Sequence, residues 1–135
     1  MTGEATERLY VDASAFVKLL VPEPESTALD RLLGPRSRLV SSDLLEIEVM
    51  RVARRLDPGL RARAAGALRS VQLVPIRDIV RRRAASIGPP ALRSLDAIHL
   101  ATADLLRDDL DALVAYDDRL AEAAAALGIR VLSPR

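Results

Sequence analysis

The sequence predicts an α/β fold, a three-layer α/β/α sandwich with a mainly parallel central sheet. Short apolar runs of strand length alternate along the chain with longer helical patterns. These runs are continuously apolar, as expected for strands that are covered by helices on both faces. The 135 residues, half of them hydrophobic, contain no repeat or linker. We therefore expect a flexible tail at residues 1–7 and a single domain at residues 8–135.

The first half of the chain contains two predicted strands and four predicted helices. In order, they are a strand at 9–11, a helix at 16–20, a helix at 25–33, a strand at 38–41, a helix at 43–56 and a helix at 60–70. Pro24 is tolerated just ahead of a helix, and Gly34 ends that helix. Ser41 or Ser42 is expected to cap the helix that begins at Asp43, because a serine side chain can accept a free backbone N–H there.

The second half repeats this alternation of strands and helices. In order, it predicts a strand at 71–75, a helix at 76–87, a helix at 95–106, a strand at 112–116, a helix that ends at 127 and a strand at 129–132. Gly88 and Gly128 stop two of the helices, and Ser94 is expected to cap a third. Because helices separate the strands, parallel pairing is expected.

The composition excludes several classes of protein. The absence of cysteine excludes disulfides, cysteine-ligated zinc and thiol catalysis. The aromatic residues are Tyr10, Phe16 and Tyr116, too few for a protein that binds single strands by stacking bases; Tyr10 and Phe16 are expected in the core. A net charge of +1 does not by itself indicate nucleic-acid binding. Without a signal peptide or a membrane-spanning apolar run, a cytoplasmic protein is expected.

Two aspartates directly follow predicted strands. Asp12 comes after the apolar run that ends at Val11, and Asp117 comes after the run that ends at Tyr116. The carboxyl ends of parallel strands meet at one edge of a sheet, where α/β proteins bind their ligands. We therefore expect the two carboxylates to converge. The alternative is that each aspartate only caps the helix that follows it.

Two predicted helices offer further acids. Asp96 lies in the first turn of a helix that is apolar on almost every side, so we expect the helix to be buried and the acid to need a partner. Glu46 and Glu48 flank the apolar stripe of the helix at 43–56, at about 90° and about 70° from its centre. This difference is too small to choose between them.

Four carboxylates at one place cannot all stay ionised unless a cation joins them or some of them take up protons. Two unit charges about 4 Å apart repel by roughly 4 kcal/mol at an effective dielectric constant near 20. Oxygen ligands without cysteine favour Mg²⁺ or Mn²⁺ over structural zinc. Such a site suits the hydrolysis of a phosphodiester, because the metal activates a water molecule and shields the charge that grows on the phosphate.

Four segments of the chain together resemble the motifs of PIN-domain ribonucleases. They are residues 9–14, 39–51, 95–103 and 114–124, in the family's order and spacing. Each motif alone is loose, but the set is specific and spans nearly the whole chain. The size of the chain is similar to that of the VapC toxins of bacterial and archaeal toxin–antitoxin pairs. The resemblance implies the PIN form of the α/β/α sandwich.

The resemblance also implies an activity and partners. A VapC-type toxin would be an endoribonuclease that depends on Mg²⁺, with Mn²⁺ able to substitute, and would inhibit growth by cleaving RNA. A VapB-type antitoxin would neutralise it, and homodimers are common in such families. The family pattern selects Glu48 rather than Glu46. Asp12, Glu48, Asp96 and Asp117 would then be the catalytic, metal-binding acids.

Four neighbouring residues have expected roles around these acids. Ser14 would orient a ligand or a metal-bound water, unless it only caps a helix. Asp118 would assist or substitute for Asp117. The chain departs from the family at Ala115, where Thr or Ser is frequent, so a hydroxyl that would help to hold a carboxylate or water is missing. His99 could be a general base, although a histidine within an apolar helix is usually structural.

The basic residues are almost all arginine, because Lys18 is the only lysine. Arginine forms forked contacts with phosphate groups. Arg51 and Arg55 lie on the same flank of their helix as Glu48, so we expect them to contact RNA phosphates, which positions the RNA without selecting its sequence. The arginines at 81–83 are expected on a solvated helix face, and contact with RNA phosphates is the alternative.

Other classes of protein share part of this pattern. A haloacid-dehalogenase-like phosphotransferase also has an aspartate after its first strand and an Asp-Asp pair after a late strand. It needs a second acid two residues after the first, where this chain has Ser14, and a mid-chain lysine. A phosphoacceptor receiver domain fails for similar reasons. The alternative outside enzymes is a degenerate PIN scaffold that only binds a partner.

Overall fold

A five-stranded parallel sheet forms the centre of the structure, a computed structural model that describes residues 6–135. The strands within this range are β1 (Glu7–Val11), β2 (Ser37–Ser42), β3 (Val71–Val74), β4 (Ala112–Val114) and β5 (Val131–Leu132). Their order across the sheet is β3-β2-β1-β4-β5, and each neighbouring pair is parallel. The predicted fold class is therefore confirmed.

Seven α-helices connect and cover these strands within the described range. They are α1 (Ala13–Leu20), α2 (Ser26–Leu32), α3 (Leu44–Leu56), α4 (Leu60–Leu68), α5 (Asp78–Ala84), α6 (Ser94–Leu105) and α7 (Asp118–Ala126). Each corresponds to a helix expected from the sequence, with different ends. α1 begins at Ala13 rather than at residue 16, because the Asp12 side chain caps it, and α5 is shorter at both ends than the expected helix at 76–87. A short 3₁₀ helix, Arg107–Asp109, was not expected.

The serines expected as helix caps behave differently from one another. The Ser42 hydroxyl accepts a hydrogen bond from the N–H of the first residue of α3 at 3.1 Å, as expected of a cap. The neighbouring Ser41 hydroxyl donates instead to the carbonyl oxygen of Val11 at 2.6 Å, which ties β2 to β1. The expectation for Ser94 was wrong. Ser94 is the first residue of α6, and Arg93 precedes it without a side-chain cap.

The amino-terminal boundary also differs from the expected one. Residues 1–5 of the expected tail lie outside the described residues, whereas Glu7, which the sequence placed in the tail, is the first residue of β1. The division into a tail and one domain otherwise stays a prediction. No helix within residues 6–135 has the length and apolar character needed to cross a membrane.

The two faces of the sheet are covered by different helices. Leu9 and Val11 of β1 point to one face and pack with side chains from α1 to α4, such as Phe16. Tyr10 points to the other face and packs with side chains from α5 to α7, such as Leu100. All five side chains are at most 1% exposed. Each fully buried apolar side chain contributes about 1.5–3 kcal/mol, so the central strand is held from both sides.

The chain reverses its direction across the sheet at β1. From β1 it proceeds outward through β2 to β3, and it then returns to the other side of β1 to form β4 and β5. The carboxyl ends of β1 and β4 are level, because Val11 pairs with Val114. In open α/β sheets such a reversal leaves a crevice outside the strand ends, where ligands bind. Asp12 is the first residue beyond β1 in this crevice.

We expect Gly88→Ala to destabilise the fold and Gly66→Ala to stabilise it. Gly88 has φ +74°, and an added Cβ would lie 3.0 Å from Leu92 Cδ2; strain of this kind costs about 1–3 kcal/mol. Gly66 lies within α4, and an added Cβ would meet no atom within 4 Å. Alanine there should add about 0.5–1 kcal/mol. Urea denaturation would measure both values, and equal effects of the two substitutions would contradict this account.

Candidate active site

The structure brings four acidic side chains from four elements to the carboxyl edge of the sheet. Asp12 follows β1, Glu48 lies on α3, Asp96 lies in the first turn of α6, and Asp117 follows β4. Both strand-end aspartates also cap helices: Asp12 accepts the N–H of Ala15 at 3.0 Å, and Asp117 caps α7. Capping and membership of an acidic cluster are therefore compatible, and the alternative drawn from the sequence does not exclude convergence.

Asp12 is held by a serine that also contacts the neighbouring strand exit. The Ser14 hydroxyl lies 2.7 and 2.8 Å from the two carboxylate oxygens of Asp12, to which it donates. The same hydroxyl accepts the backbone N–H of Tyr116 at 3.0 Å. Ser14 therefore orients the carboxylate and links the end of β1 to the chain after β4. It does not cap α1, because Asp12 does so.

The structure distinguishes the two glutamates of α3. Glu46 is exposed, whereas the Glu48 side chain is 20% exposed and its Oε1 lies 2.6 Å from Nε2 of His99 on α6. The other ring nitrogen of His99, Nδ1, lies 2.7 Å from the hydroxyl of Tyr10. Sequence reasoning missed this connection. The sequence shows a histidine in an apolar helix, but nothing in it pairs that histidine with residues 51 and 89 positions away.

Burial and mutual repulsion act on these carboxylates. Burial raises the pKa of Asp12, and the charge of Glu48 raises it further, against the hydrogen bonds from Ser14 and Ala15. Burial also raises the pKa of Asp96; Asp117 and Glu48 add to this effect, and His99 and Arg93 oppose it. Like charges therefore act on one another from Asp12 through Glu48 and Asp96 to Asp117. Among residues 6–135, no arginine or lysine forms an ion pair with any of the four acids.

An open cavity of about 270 Å³ lies at one end of this row. Its walls are formed by Arg93, Asp96, Asp117, Asp118 and Arg119. Asp118, expected to support Asp117, thus shares the cavity with it. The two arginines were not singled out from the sequence, although each lies within three residues of a candidate acid. The expected RNA contacts, at positions 51 and 55, are exposed on α3.

The chain that leaves β4 is held in place by the only lysine. Lys18 Nζ lies 4.6 Å from the centre of the Tyr116 ring and 3.1 Å from a carboxylate oxygen of Glu25. The Tyr116 hydroxyl donates to the carbonyl oxygen of Pro134 at 2.8 Å. Lys18 is therefore engaged in contacts that fix the residue before Asp117. Ala115 is fully buried on the face of the sheet that α5 to α7 cover, and it supplies no hydroxyl to the site.

The donor set fits a hard divalent cation in its chemistry. The pKa values of Asp12 and Asp96 are raised by burial and by neighbouring carboxylates, and a bound cation would remove this repulsion. The side chains are not, however, closed around a metal position. Within the described part of the chain, no three Asp, Glu or His side chains lie close enough together to hold an ion directly. Some of the acids would have to bind through water.

Comparisons with known proteins agree with this architecture. The family model of the PIN domain matches residues 9–126. Ribonuclease VapC46 of Mycobacterium tuberculosis is 49% identical over 128 residues, which cover 93% of this chain and 97% of that protein. Ribonuclease VapC35 of the same species is 42% identical over 130 residues, at 93% and 96% coverage. This chain belongs to the VapC family of PIN-domain ribonucleases.

Solved structures support the fold of this VapC-family chain. M. tuberculosis VapC20, described as a toxin that cleaves the sarcin–ricin loop, has a TM-score of 0.70 at 16% identity and covers 93% of this chain and 99% of its own. A chain of a toxin–antitoxin complex from Klebsiella pneumoniae has a TM-score of 0.68 at 22% identity, with 94% and 98% covered. The suspected VapC resemblance is confirmed, and it replaces the dehalogenase and receiver alternatives.

We expect Asp96→Asn to raise the melting temperature of the metal-free protein at pH 7. The raised pKa of Asp96 means that the fold favours its uncharged form. This contribution to stability is fully present below the usual pKa of 3.8 and is lost as the pH rises through the raised value. Asparagine stays uncharged at every pH. The increase should be small, about 1–3 °C, because the carboxylate is partly exposed and screened.

Thermal unfolding in EDTA between pH 4 and pH 8 would measure this difference, which should narrow as the pH is lowered. The matched control is Asp30→Asn, at an exposed acid on α2, where a surface change should stay within about 0.5 kcal/mol at every pH. A lower melting temperature of Asp96→Asn at pH 7 would contradict the inferred repulsion.

Proposed function

We propose that this chain is a divalent-metal-dependent endoribonuclease and the toxin of a VapBC-type toxin–antitoxin pair. The observation that carries the proposal is the row of four carboxylates at the sheet reversal, which repel one another and have no arginine or lysine ion pair within residues 6–135. The family to which the chain belongs, with relatives named as ribonucleases, supports RNA as the substrate.

Asp12, Glu48, Asp96 and Asp117 would hold Mg²⁺ or Mn²⁺, some directly and some through water. When bound, the cation supplies a water of lowered pKa and shields the negative charge that develops on the phosphate. The residues of the chain prepare the site. Ser14 contacts both oxygens of Asp12, and the repulsion that Asp12 and Asp96 experience from neighbouring carboxylates favours a bound cation.

Arg93 and Arg119 would contact RNA phosphates beside the acids. Both line the cavity that contains Asp96 and Asp117. A backbone phosphate entering this cavity could meet a guanidinium group, which binds two phosphate oxygens at once. Arg51 and Arg55, the candidates drawn from the sequence, would serve as more distant contacts along α3.

Because the chain belongs to the VapC family, we further infer that it binds an antitoxin and forms a homodimer. The similar Klebsiella pneumoniae chain comes from a toxin–antitoxin complex. An antitoxin bound to this chain would block RNA cleavage and so relieve the growth inhibition that cleavage causes. The similar VapC20 toxin cleaves the sarcin–ricin loop.

Glu48→Gln should lose RNA cleavage, whereas Glu46→Gln should keep it. The two residues are two positions apart on α3, and only Glu48 faces the site. We expect the first variant to cleave roughly a hundredfold more slowly or worse, with its fold intact. Sequencing of RNA ends after brief induction, together with growth curves, would measure both variants. Cleavage by the purified wild type should require Mg²⁺ and stop in EDTA.

Two outcomes would contradict the proposal. Cleavage that Glu48→Gln retains and Glu46→Gln loses would place the site on the other flank of α3. A folded wild type that neither cleaves cellular RNA nor arrests growth would favour the PIN scaffold that only binds a partner.

Arg93→Ala and Arg119→Ala should weaken RNA binding with a smaller effect on the chemical step. On the RNA substrate found by end mapping, we expect KM to rise about three- to tenfold, and the slope of log KM against log salt to fall by about one for each arginine removed. Arg130→Ala is the matched control, because Arg130 is exposed just ahead of β5, at the opposite edge of the sheet. Equal effects of all three substitutions would indicate general electrostatic attraction only.

A further inference from the structure

A row of buried polar groups runs from the centre of the sheet to the acidic site. The hydroxyl of Tyr10 on β1 lies 2.7 Å from Nδ1 of His99 on α6. Nε2 of the same ring lies 2.6 Å from Oε1 of Glu48 on α3. The row therefore joins the central strand to helices that cover opposite faces of the sheet, and it ends on one of the four carboxylates.

Burial makes these hydrogen bonds consequential. Tyr10 is fully buried and His99 is 1% exposed. A buried polar group that lacks a hydrogen-bond partner destabilises the fold. The folded state therefore favours the hydrogen bonds of Tyr10 and His99. The two rings also meet edge to face, with centroids 5.7 Å apart and planes at 78°. This packing restricts the rotation of the imidazole and aims Nε2 at the site.

The Glu48 carboxylate at the end of the row determines which groups donate and which accept the hydrogen bonds. An ionised carboxylate only accepts hydrogen bonds, so Nε2 of His99 must carry the proton that it shares with Glu48. In the neutral ring, Nδ1 is then an acceptor, and the Tyr10 hydroxyl can donate to it. Burial raises the pKa of Tyr10 far above its usual value, so the hydroxyl retains its proton. In the neutral and in the charged ring alike, an N–H faces Glu48.

This arrangement leaves His99 without a free nitrogen for proton transfer. Both ring nitrogens are within hydrogen-bond distance of protein groups, and the ring is almost inaccessible to an RNA substrate. A general base would need to reach the proton that it abstracts. The geometry instead allows His99 to hydrogen-bond and orient Glu48.

We propose that Tyr10 and His99 form a hydrogen-bond relay that fixes the position and orientation of the Glu48 carboxylate for cation binding. His99 is thus a positioning residue and not the general base, and Tyr10 supports it from the sheet. The inference rests on the proposed function, in which Glu48 helps to hold the divalent cation. Groups that orient metal-binding side chains typically change metal affinity or activity by about 10–100-fold when removed.

The first test is spectroscopic and needs neither metal nor RNA. His99 is the only histidine in the chain, so a tag-free sample labelled with ¹⁵N at histidine contains a single imidazole. Long-range ¹H–¹⁵N correlation spectra of the metal-free protein should show a proton on Nε2. Tyr10→Phe removes the hydroxyl and keeps the ring, and it should shift the Nδ1 resonance. A ring with its proton on Nδ1 and none on Nε2 would overturn the relay.

The second test measures Mn²⁺ affinity by isothermal titration. The His99→Leu variant, which has no donor, should bind Mn²⁺ about 10–100-fold more weakly. The His99→Gln variant should stay within about fivefold of wild type, because the amide can place an N–H near the position of Nε2. Tyr10→Phe should fall between the two. Circular dichroism and melting curves would establish that each variant is folded, and Tyr10→Phe keeps the proposal testable if His99→Leu is not.

Coupling between the sites separates positioning from general structural damage. In a Glu48→Gln background, His99→Leu should have little further effect on Mn²⁺ affinity, because no carboxylate remains to be positioned. Additive losses in the double variant, or equal losses in His99→Leu and His99→Gln, would overturn the proposal. So would unchanged affinity in every folded variant of Tyr10 and His99.

The failure of the relay is distinguishable from the failure of the proposed function. If Glu48→Gln weakens Mn²⁺ binding and the His99 variants do not, the relay is wrong and the nuclease site stands. If the wild type binds no Mn²⁺ and cleaves no RNA, the proposed function is wrong, and with it the purpose assigned to the relay. The ¹⁵N spectrum would still report whether Nε2 of His99 carries the proton that the hydrogen bond to Glu48 requires.

Discussion

The structure depends on keeping an ionisable side chain, Asp12, almost completely buried at the end of its central strand. Burial disfavours the charged carboxylate, and the surroundings offset this cost with local donors: the Ser14 hydroxyl and the N–H of Ala15. These donors exist because α1 begins immediately after β1. The pairing of β1 with β4 and the bond from Ser14 to the chain after β4 then bring the second acidic strand end to the same crevice.

The remaining two acids arrive from opposite faces of the sheet. Glu48 lies on α3, which packs on the same face of the sheet as Leu9, and Asp96 lies on α6, which packs on the face to which Tyr10 points. The turns of these helices that carry Glu48 and Asp96 lie at the carboxyl edge of the sheet, so the two side chains approach each other near the end of β1. His99 spans the two layers and connects Glu48 to the sheet through Tyr10. The acids therefore differ in freedom: the side chains of Asp12 and Glu48 are hydrogen-bonded to those of Ser14 and His99, whereas Asp117 is exposed and caps α7.

Much of this protein could be predicted from the sequence by local rules. The five strands, the seven helices and the parallel sheet follow from short apolar runs between helices, and the order of the motifs was enough to indicate the PIN family. Asp12 and Asp117 could be predicted because an acid that directly follows a buried parallel strand lies at the carboxyl edge of the sheet. The errors were also local. Ser94 was assigned as a cap although α6 already begins at that residue, and α1 begins earlier than expected because Asp12 caps it.

The sequence by itself determined the fold class, the family and the edge of the sheet to which the acids belong, because periodicity and strand ends are properties of neighbouring residues. Only the tertiary structure decided which groups touch there. Helical periodicity left Glu46 and Glu48 equivalent and the family pattern selected Glu48, but only the fold shows the contact that holds it, from His99, 51 residues away along the chain. The positions of Arg93 and Arg119 around the acidic cavity were decided in the same way. Such contacts join distant segments whose approach depends on how all the layers pack, and no local pattern records that.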